Sequence, residues 1–497
     1  MKKIQKNILK ITTIISLFLL ISCDDYLSEL PDNRAEIDSP EKISALVTGA
    51  YSIGNYQLMA EIMSDNATSR SNIRSYINVL IGEQMFTWDT SLAEDQDSPT
   101  FFWSNSYGAI AQANQALVSI EELEGQFNLD AQKGEALIAR AYAHFMLVNF
   151  WGKHYNPTTS ASDLGVPYVI TPETTLIQSY TRNTVAEVYD FIEKDLLEGI
   201  DLIQDREKNA KFHFSKAAAN AFAARFYQYK GEWDEVISYT NKIITNPQAQ
   251  IRDLLAYQEL SYAQRALQYS SSLEDSNILI SSTSSWWGRN FWRTNYGLSN
   301  INSDAIFQAD NPFGKGWAYD IFGSSEGFNN PKFDEYFKVT NQSAGTGRGY
   351  TSLVLFGNDE ALLNRAEAYA MKEDYANCLK DLNDFLSKKT EGYNSSTDIL
   401  TEEMVVNLFP VTPDELTPFY GFKDDKQTSF INAILKFRQK EFYHEGVRWF
   451  DVRRFNIAIK RYYRKDDIDV ELTKEDLRKQ LQVPESAINF GLTPNPR

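Results

Sequence analysis

Two residue types that commonly build sites are scarce in this 497-residue chain, which has two cysteines and four histidines. So few cysteines exclude a disulfide framework, and core packing has to hold the chain together. His144, His154, His213 and His444 are scattered without metal-ligand spacing, so neither a metal nor a cofactor is expected. Basic charge is also short: 49 Lys and Arg stand against 67 Asp and Glu, a formal net charge of −18. Such a surface repels a phosphate backbone, and nucleic acid is not an expected partner. No apolar run reaches the roughly 20 residues that a helix needs to cross a bilayer, so no permanent span is expected. What is present, 43% hydrophobic and 23% charged residues, is the balance of a globular protein with one large domain or two closely joined ones.

The amino end has its own pattern. Lys2, Lys3, Lys6 and Lys10 precede an apolar stretch from Ile11 to Ser22, the layout of a secretory signal peptide. The stretch ends "LISC", which resembles the lipobox of bacterial lipoproteins, so residues 1–22 are expected to be removed and Cys23 to carry lipid. Several acyl chains on one residue anchor stably, since each buried methylene contributes about 0.8 kcal/mol. An ordinary secreted protein with a Cys at its cleavage site is the alternative. With Cys23 lipidated, Cys378 has no disulfide partner; a small apolar residue in a helix interface explains it better than a reactive thiol does.

Most of the chain reads as helix. Residues 106–125 and 130–152 repeat apolar positions every three or four residues and predict a helix pair. A further helix is expected over 184–203, capped by Thr184 with Glu187 completing a capping box. Two later stretches, "NAFAARFYQYKGEWDEVISYTNKII" and "DEALLNRAEAYAMKEDYANCLKDLNDFL", align Tyr227 with Tyr369, Trp233 with Tyr375 and Val236 with Cys378. Each runs from an Ala-rich helix through a short turn to a second amphipathic helix, resembling the tetratricopeptide repeat. Because the repeats are dispersed, a helical scaffold with insertions is expected rather than an open solenoid.

The insertions differ in composition. From about Ser281 to Tyr350 the helical period is lost and Trp, Tyr, Phe, Asn and Gly dominate, which suits loops with local turns. Residues 63–103 mix aromatic and polar groups in the same way. Aromatic faces stack on the C–H faces of sugars while Asn, Asp and Arg bond the hydroxyls, so the two segments are expected to form one binding surface. On composition alone the proposed platforms are Trp286, Trp287, Trp292, Tyr296 and Trp317, with Asn66, Arg70 and Arg289 as hydrogen-bonding partners. Trp88 and Trp103 are weaker candidates, and Trp103 reads as packed on the scaffold.

Near the carboxyl end, Arg438, Glu441, Glu445, Arg448 and Asp451 follow one another at three- and four-residue steps in a largely apolar stretch. Paired carboxylates hydrolyse glycosides when their pKa values are held apart. Interleaved with arginines one turn away, these acids read instead as structural ion pairs.

Four stretches in order, the lipobox with "CDDYLSELPDNRAEIDSPEKISALVTGAYS", "GEALIARAYAHFMLVNFWG" followed by "GVPYV", "LLNRAEAYA", and "RQKEFYHEGVRWFDVRRF", resemble the SusD/RagB family of outer-membrane nutrient-uptake lipoproteins. The last is similar to the family's Glu-Leu-x-x-Glu-Gly-x-Arg-x-x-Asp-x-x-Arg segment, with Phe442 where Leu is frequent. The resemblance implies a mostly α SusD-like fold, tetratricopeptide-like helix pairs carrying irregular aromatic-rich loops, over 23–497, with helix pairs to about 270 and the loop insertion and C-terminal helices beyond. It also implies a lipid-anchored protein on the cell exterior. Such a protein captures oligosaccharides, or peptides, as the lid of a SusC-like TonB-dependent transporter, without catalysis. Asp24 and Asp25 resemble the surface-export signal of such lipoproteins. A surface glycoside hydrolase and a tetratricopeptide-type lipoprotein that binds proteins are the alternatives.

Overall fold

The computed structural model describes residues 37–70, 79–173, 178–205, 210–290, 294–324 and 327–497. The chain divides into two compact units, Met1–Lys42 and Ile43–Arg497, and every element below lies in the second. Cys23 and Trp292 lie outside the described residues. No helix among those residues is long and apolar enough to cross a membrane.

A short buried helix, α1 (Gln57–Met63), precedes the first long pair, α2 (Pro99–Glu122) and α3 (Asp130–Trp151). The next helix, α4 (Val185–Leu202), begins with the expected capping box: Glu187 N–H donates to Thr184 Oγ1 at 3.2 Å and Thr184 N–H to Glu187 Oε2 at 2.9 Å. Helices α3 and α4 touch through backbone at Gly134 and Gly199, where an added Cβ would come within 2.7 Å of Ile203 N and 2.5 Å of Ile138 Cγ1. Arg140 fastens the same pair to Asp195 at 2.7 and 2.8 Å. Trp103, as expected, is packed on the scaffold, edge-on to Trp151 at 4.9 Å.

The two repeats fold alike, as α5 (Lys216–Lys230) with α6 (Trp233–Asn241) and, further on, α7 (Asn358–Met371) with α8 (Tyr375–Ser387). Their turns coincide: Gly231 and its counterpart Glu373 both take the left-handed conformation, with φ of 74° and 61°. Glycine adopts it freely, whereas Glu does so at a cost of roughly 1–2 kcal/mol. Val236 and Cys378 are both fully buried where each pair closes. Arg225 of α5 donates to Glu360 of α7 at 2.6 Å, which ties one repeat to the other.

The expectation of loops over 281–350 is corrected. An antiparallel three-stranded sheet runs through this region, with β1 (Asn277–Ser284) and β2 (Glu335–Asn341) flanking β3 (Thr346–Gly357) in the order β1-β3-β2. Ser284 and Tyr336 both face Tyr350 across β3. The alternating "YTSLVLF" of β3 carries the strand period, which the surrounding Gly, Asn and aromatic residues obscure.

Closing the fold, α9 (Asp425–Glu441) and α10 (Val447–Arg454) are separated by Gly446 at φ 75°, and a hairpin of β4 (Ile459–Tyr463) and β5 (Ile468–Leu472) follows. The acids here are all paired, but mostly with other elements rather than along one helical face. Asp451 accepts from Arg438 at 3.0 Å and from Arg454 at 2.9 Å, and Arg454 also reaches Glu367 of α7 at 2.6 Å. Glu441 meets Lys389 at 3.0 Å and the Tyr319 hydroxyl at 2.6 Å; Glu445 meets Lys332 at 2.6 Å and the Tyr269 hydroxyl at 2.5 Å. Buried charge is retained where such partners surround it.

Candidate functional site

Residues 63–103 and 281–350 meet at a surface cleft with about 530 Å³ of space, within the size range of ligand pockets. Phe101, Trp286 and Phe337 supply apolar faces, and Arg289 and Arg348 supply hydrogen-bond donors. Phe337, on β2, is 63% exposed, an unusual position for a large aromatic side chain in a strand. Glu94 and Asp95 are exposed at the same cleft.

Local sequence explains how the walls are held. Asp97 is left-handed at φ 69°, a conformation that Asp tolerates, and it leads into Ser98, whose side chain caps α2 by accepting from Phe101 N–H at 3.1 Å. Pro99 then occupies the first turn, where its missing N–H costs nothing. Asp97 accepts from the Ser285 hydroxyl at 2.5 Å and from Trp286 N–H at 2.9 Å. Gln96 Nε2 donates to Ser284 Oγ at 2.8 Å and to the Gly349 carbonyl at 3.1 Å. The turn before α2 thus grips both β1 and β3 and fixes the backbone from which Trp286 projects. Burial pushes the Asp97 carboxyl up to about 7, and its bonds to Ser285 and Trp286 offset only part of that rise. Arg289 Nε donates to Glu335 Oε2 at 2.6 Å while the Arg289 side chain remains half exposed, so its charge is held at the cleft without leaving water.

The proposed ligand residues divide sharply. Trp286 and Arg289 line the cleft. Trp287, the next residue, points the other way: it is 1% exposed, donates from Nε1 to the His444 carbonyl at 3.1 Å and packs on Phe333. It is corrected from ligand platform to core residue. Tyr296 is also buried and stacks on Phe86 at 4.4 Å, and Trp317 is buried against Phe437 at 5.7 Å. Asn66 is a core amide, donating to Glu61 at 2.9 Å and accepting from Gln439 at 2.9 Å. Arg70 is buried and donates to the carbonyls of Thr294 and Phe328 at 3.1 and 3.2 Å; burial brings its pKa down to about 10. Five of the proposed contacts therefore belong to the packing beneath the surface: the three rings fill the core, and Asn66 and Arg70 satisfy buried polar groups.

Phe101, Phe337, Arg348 and Gln96 were not singled out by sequence. Phe101 sits in the first turn after a readable Ser-Pro cap, so its place at a helix entrance is visible in retrospect. Phe337 has no such signal, because its exposure follows from β2 being an edge strand, which is a tertiary fact.

Residues 25–228 match a family model described as SusD-like, starch-binding and associating with the outer membrane, and residues 284–482 match the SusD family model. The chain is 22% identical over 327 residues to SusD-like protein P2 of Formosa agariphila, and 24% identical over 288 residues to SusD-like protein P38 of the same organism. Those matches take in 62% and 53% of this chain and 59% and 51% of the two proteins, so the chain spans between half and three-fifths of the length of the curated relatives it matches. Among solved structures, a SusD superfamily protein of Bacteroides thetaiotaomicron superposes with a TM-score of 0.67 at 18% identity, covering 92% of this chain and 100% of that one. A SusD-like carbohydrate binding protein of Bacteroides vulgatus superposes with a TM-score of 0.63 at 14% identity, covering 91% and 96%. With paired helices through its fold and family models matched on both halves of its length, the chain belongs to the SusD/RagB family.

Proposed function

We propose that this protein is a lipid-anchored receptor on the outer face of the outer membrane that captures oligosaccharides and delivers them to a SusC-like TonB-dependent transporter, which it covers as a lid. The observation that carries the reading is the cleft itself: three aromatic faces beside Arg289 and Arg348, drawn from both aromatic-polar segments. Aromatic faces with convergent donors suit a ring that is apolar on its C–H faces and polar at its edge. The Bacteroides vulgatus protein of similar fold is described as carbohydrate binding, which supports the same ligand class.

Capture without turnover is the expected behaviour. Glu335 is committed to Arg289, and Glu441, Glu445 and Asp451 are committed to buried cations, so none of these four is free to act as acid or base; Glu94 and Asp95 are the exposed carboxylates at the cleft, and an assay for released sugar decides whether they act. Affinity electrophoresis of the purified protein through gels holding a panel of polysaccharides, with the same mixtures checked for released sugar, tests this directly. Retardation without release is the predicted result, and release of sugar would replace capture by hydrolysis.

Anchoring is proposed through Cys23. Metabolic labelling with palmitate is expected to mark the wild-type protein and to be lost in Cys23→Ala. Label persisting in the variant would contradict the lipobox reading.

A further inference from the structure

A second cleft, with about 390 Å³ of space, opens between the chain after α3, the carboxyl end of α10 and residues 474–480. It shares no lining residue with the cleft at Trp286. Its charge is unexpected in a protein of net charge −18, because Lys153, Arg453, Arg454, Lys474 and Lys479 all line it.

Among the described residues three of these cations have no carboxylate; Lys474 donates to the Asp414 carbonyl, and the other two, Arg453 and Lys479, are buried. Arg453 is 6% exposed; its Nη2 donates to the Gly152 carbonyl at 2.5 Å, and its Nη1 has no hydrogen-bond partner among the described residues. Lys479 is 8% exposed and donates only to neutral oxygens, Asn456 Oδ1 at 2.7 Å and the Lys474 carbonyl at 3.0 Å. The adjacent Arg454 shows what a satisfied cation looks like here, since it holds both Glu367 and Asp451. Lys153 is likewise taken by Asp163 at 2.6 Å. Of the acids at the cleft, Asp476 is bound to Arg478 at 2.6 Å, and Glu475 is exposed. A buried guanidinium and a buried ammonium without a counter-charge are costly. Burial brings Lys479 down to about 8 and Arg453 down to about 10; for Lys479 the neighbouring Arg453 adds to the fall, and Glu475 and Asp476 offset only part of it. Beside them, the rings of Tyr155 and Phe419 form an aromatic wall.

We propose that this cleft binds a sugar bearing a carboxylate, a uronate, with the anion between Arg453 and Lys479 and the ring against Tyr155 and Phe419. Guanidinium and ammonium donors to an oxyanion make the stronger, charge-assisted kind of hydrogen bond. The inference rests on these groups alone and stands apart from the reading of the Trp286 cleft.

Calorimetric titration of the purified full-length protein with galacturonate, galactose and inorganic sulfate tests it. Galacturonate is expected to bind at least about tenfold tighter than either of the others. Asn456→Asp places a carboxylate on Lys479 at a left-handed position that Asp tolerates (φ 51°). That variant is expected to melt higher without ligand and to bind galacturonate about tenfold more weakly or worse. Arg453→Gln, checked for folding by circular dichroism, is expected to lose binding as well. Three results would each overturn the proposal: no galacturonate binding to the wild type, sulfate binding as tightly as galacturonate, or wild-type affinity in Asn456→Asp.

Discussion

Replacing Asp451 by Ala is expected to destabilise the protein by about 3–5 kcal/mol, measured as a lower urea midpoint at unchanged slope. Asp451 is 1% exposed and is the shared acceptor of Arg438 and Arg454. Removing it leaves Arg438 without a carboxylate among the described residues and Arg454 with Glu367, both inside the core. The loss therefore reflects stranded buried charge, and exceeds what an exposed ion pair contributes, about 0–1 kcal/mol. Burial raises the Asp451 pKa, but Arg438 and Arg454 outweigh it and hold the carboxyl below its ordinary value. A depressed carboxylate contributes stability above its unfolded pKa, about 3.9, and loses it as pH falls through the folded value. The gap between wild type and Asp451→Ala should accordingly narrow on acidification below about pH 4. A destabilisation under about 1 kcal/mol at pH 7 would show the network to be dispensable.

Trp287→Ala carries the second large effect, also about 3–5 kcal/mol, as for other buried Trp or Phe truncations. The ring is among the largest fully buried side chains and is placed between Phe333 and His444. Truncation opens a cavity under the sheet and strips the His444 carbonyl of the indole donor. Ligand affinity of the fraction that stays folded should change little, since Trp287 has no face at the cleft. Urea unfolding alongside ligand titration separates the two effects. Lost affinity at unchanged stability would return Trp287 to the ligand surface.

The contrast between Trp286 and Trp287 also marks how far the sequence was legible. Helical period, the Thr184 box and the aligned repeats placed the scaffold, because those signals are local and each residue's face follows from its position in the turn. The ion pairs near the carboxyl end were legible as pairs, but their partners Lys389, Lys332 and Glu367 come from remote elements and left no trace in the spacing. In the aromatic insertion, composition pointed to the two segments that meet at the proposed cleft. It did not separate its outer from its inner rings, since Trp286 and Trp287 lie in the bend and short helix that follow β1, where no repeated period decides which side chain points out. Arg70 and Asn66 look like ligand partners in sequence for the same reason, and prove to satisfy buried carbonyls and amides instead.

The central claim is that glycan is held at the cleft walled by Phe101, Trp286 and Phe337. Its most direct test is calorimetric titration of a polysaccharide fragment that retards the wild type, repeated with Trp286→Ala. The account predicts a loss of about tenfold or more in affinity, the worth of one large aromatic contact, with the urea midpoint unchanged. Wild-type affinity in Trp286→Ala would contradict it and remove the ligand from this cleft.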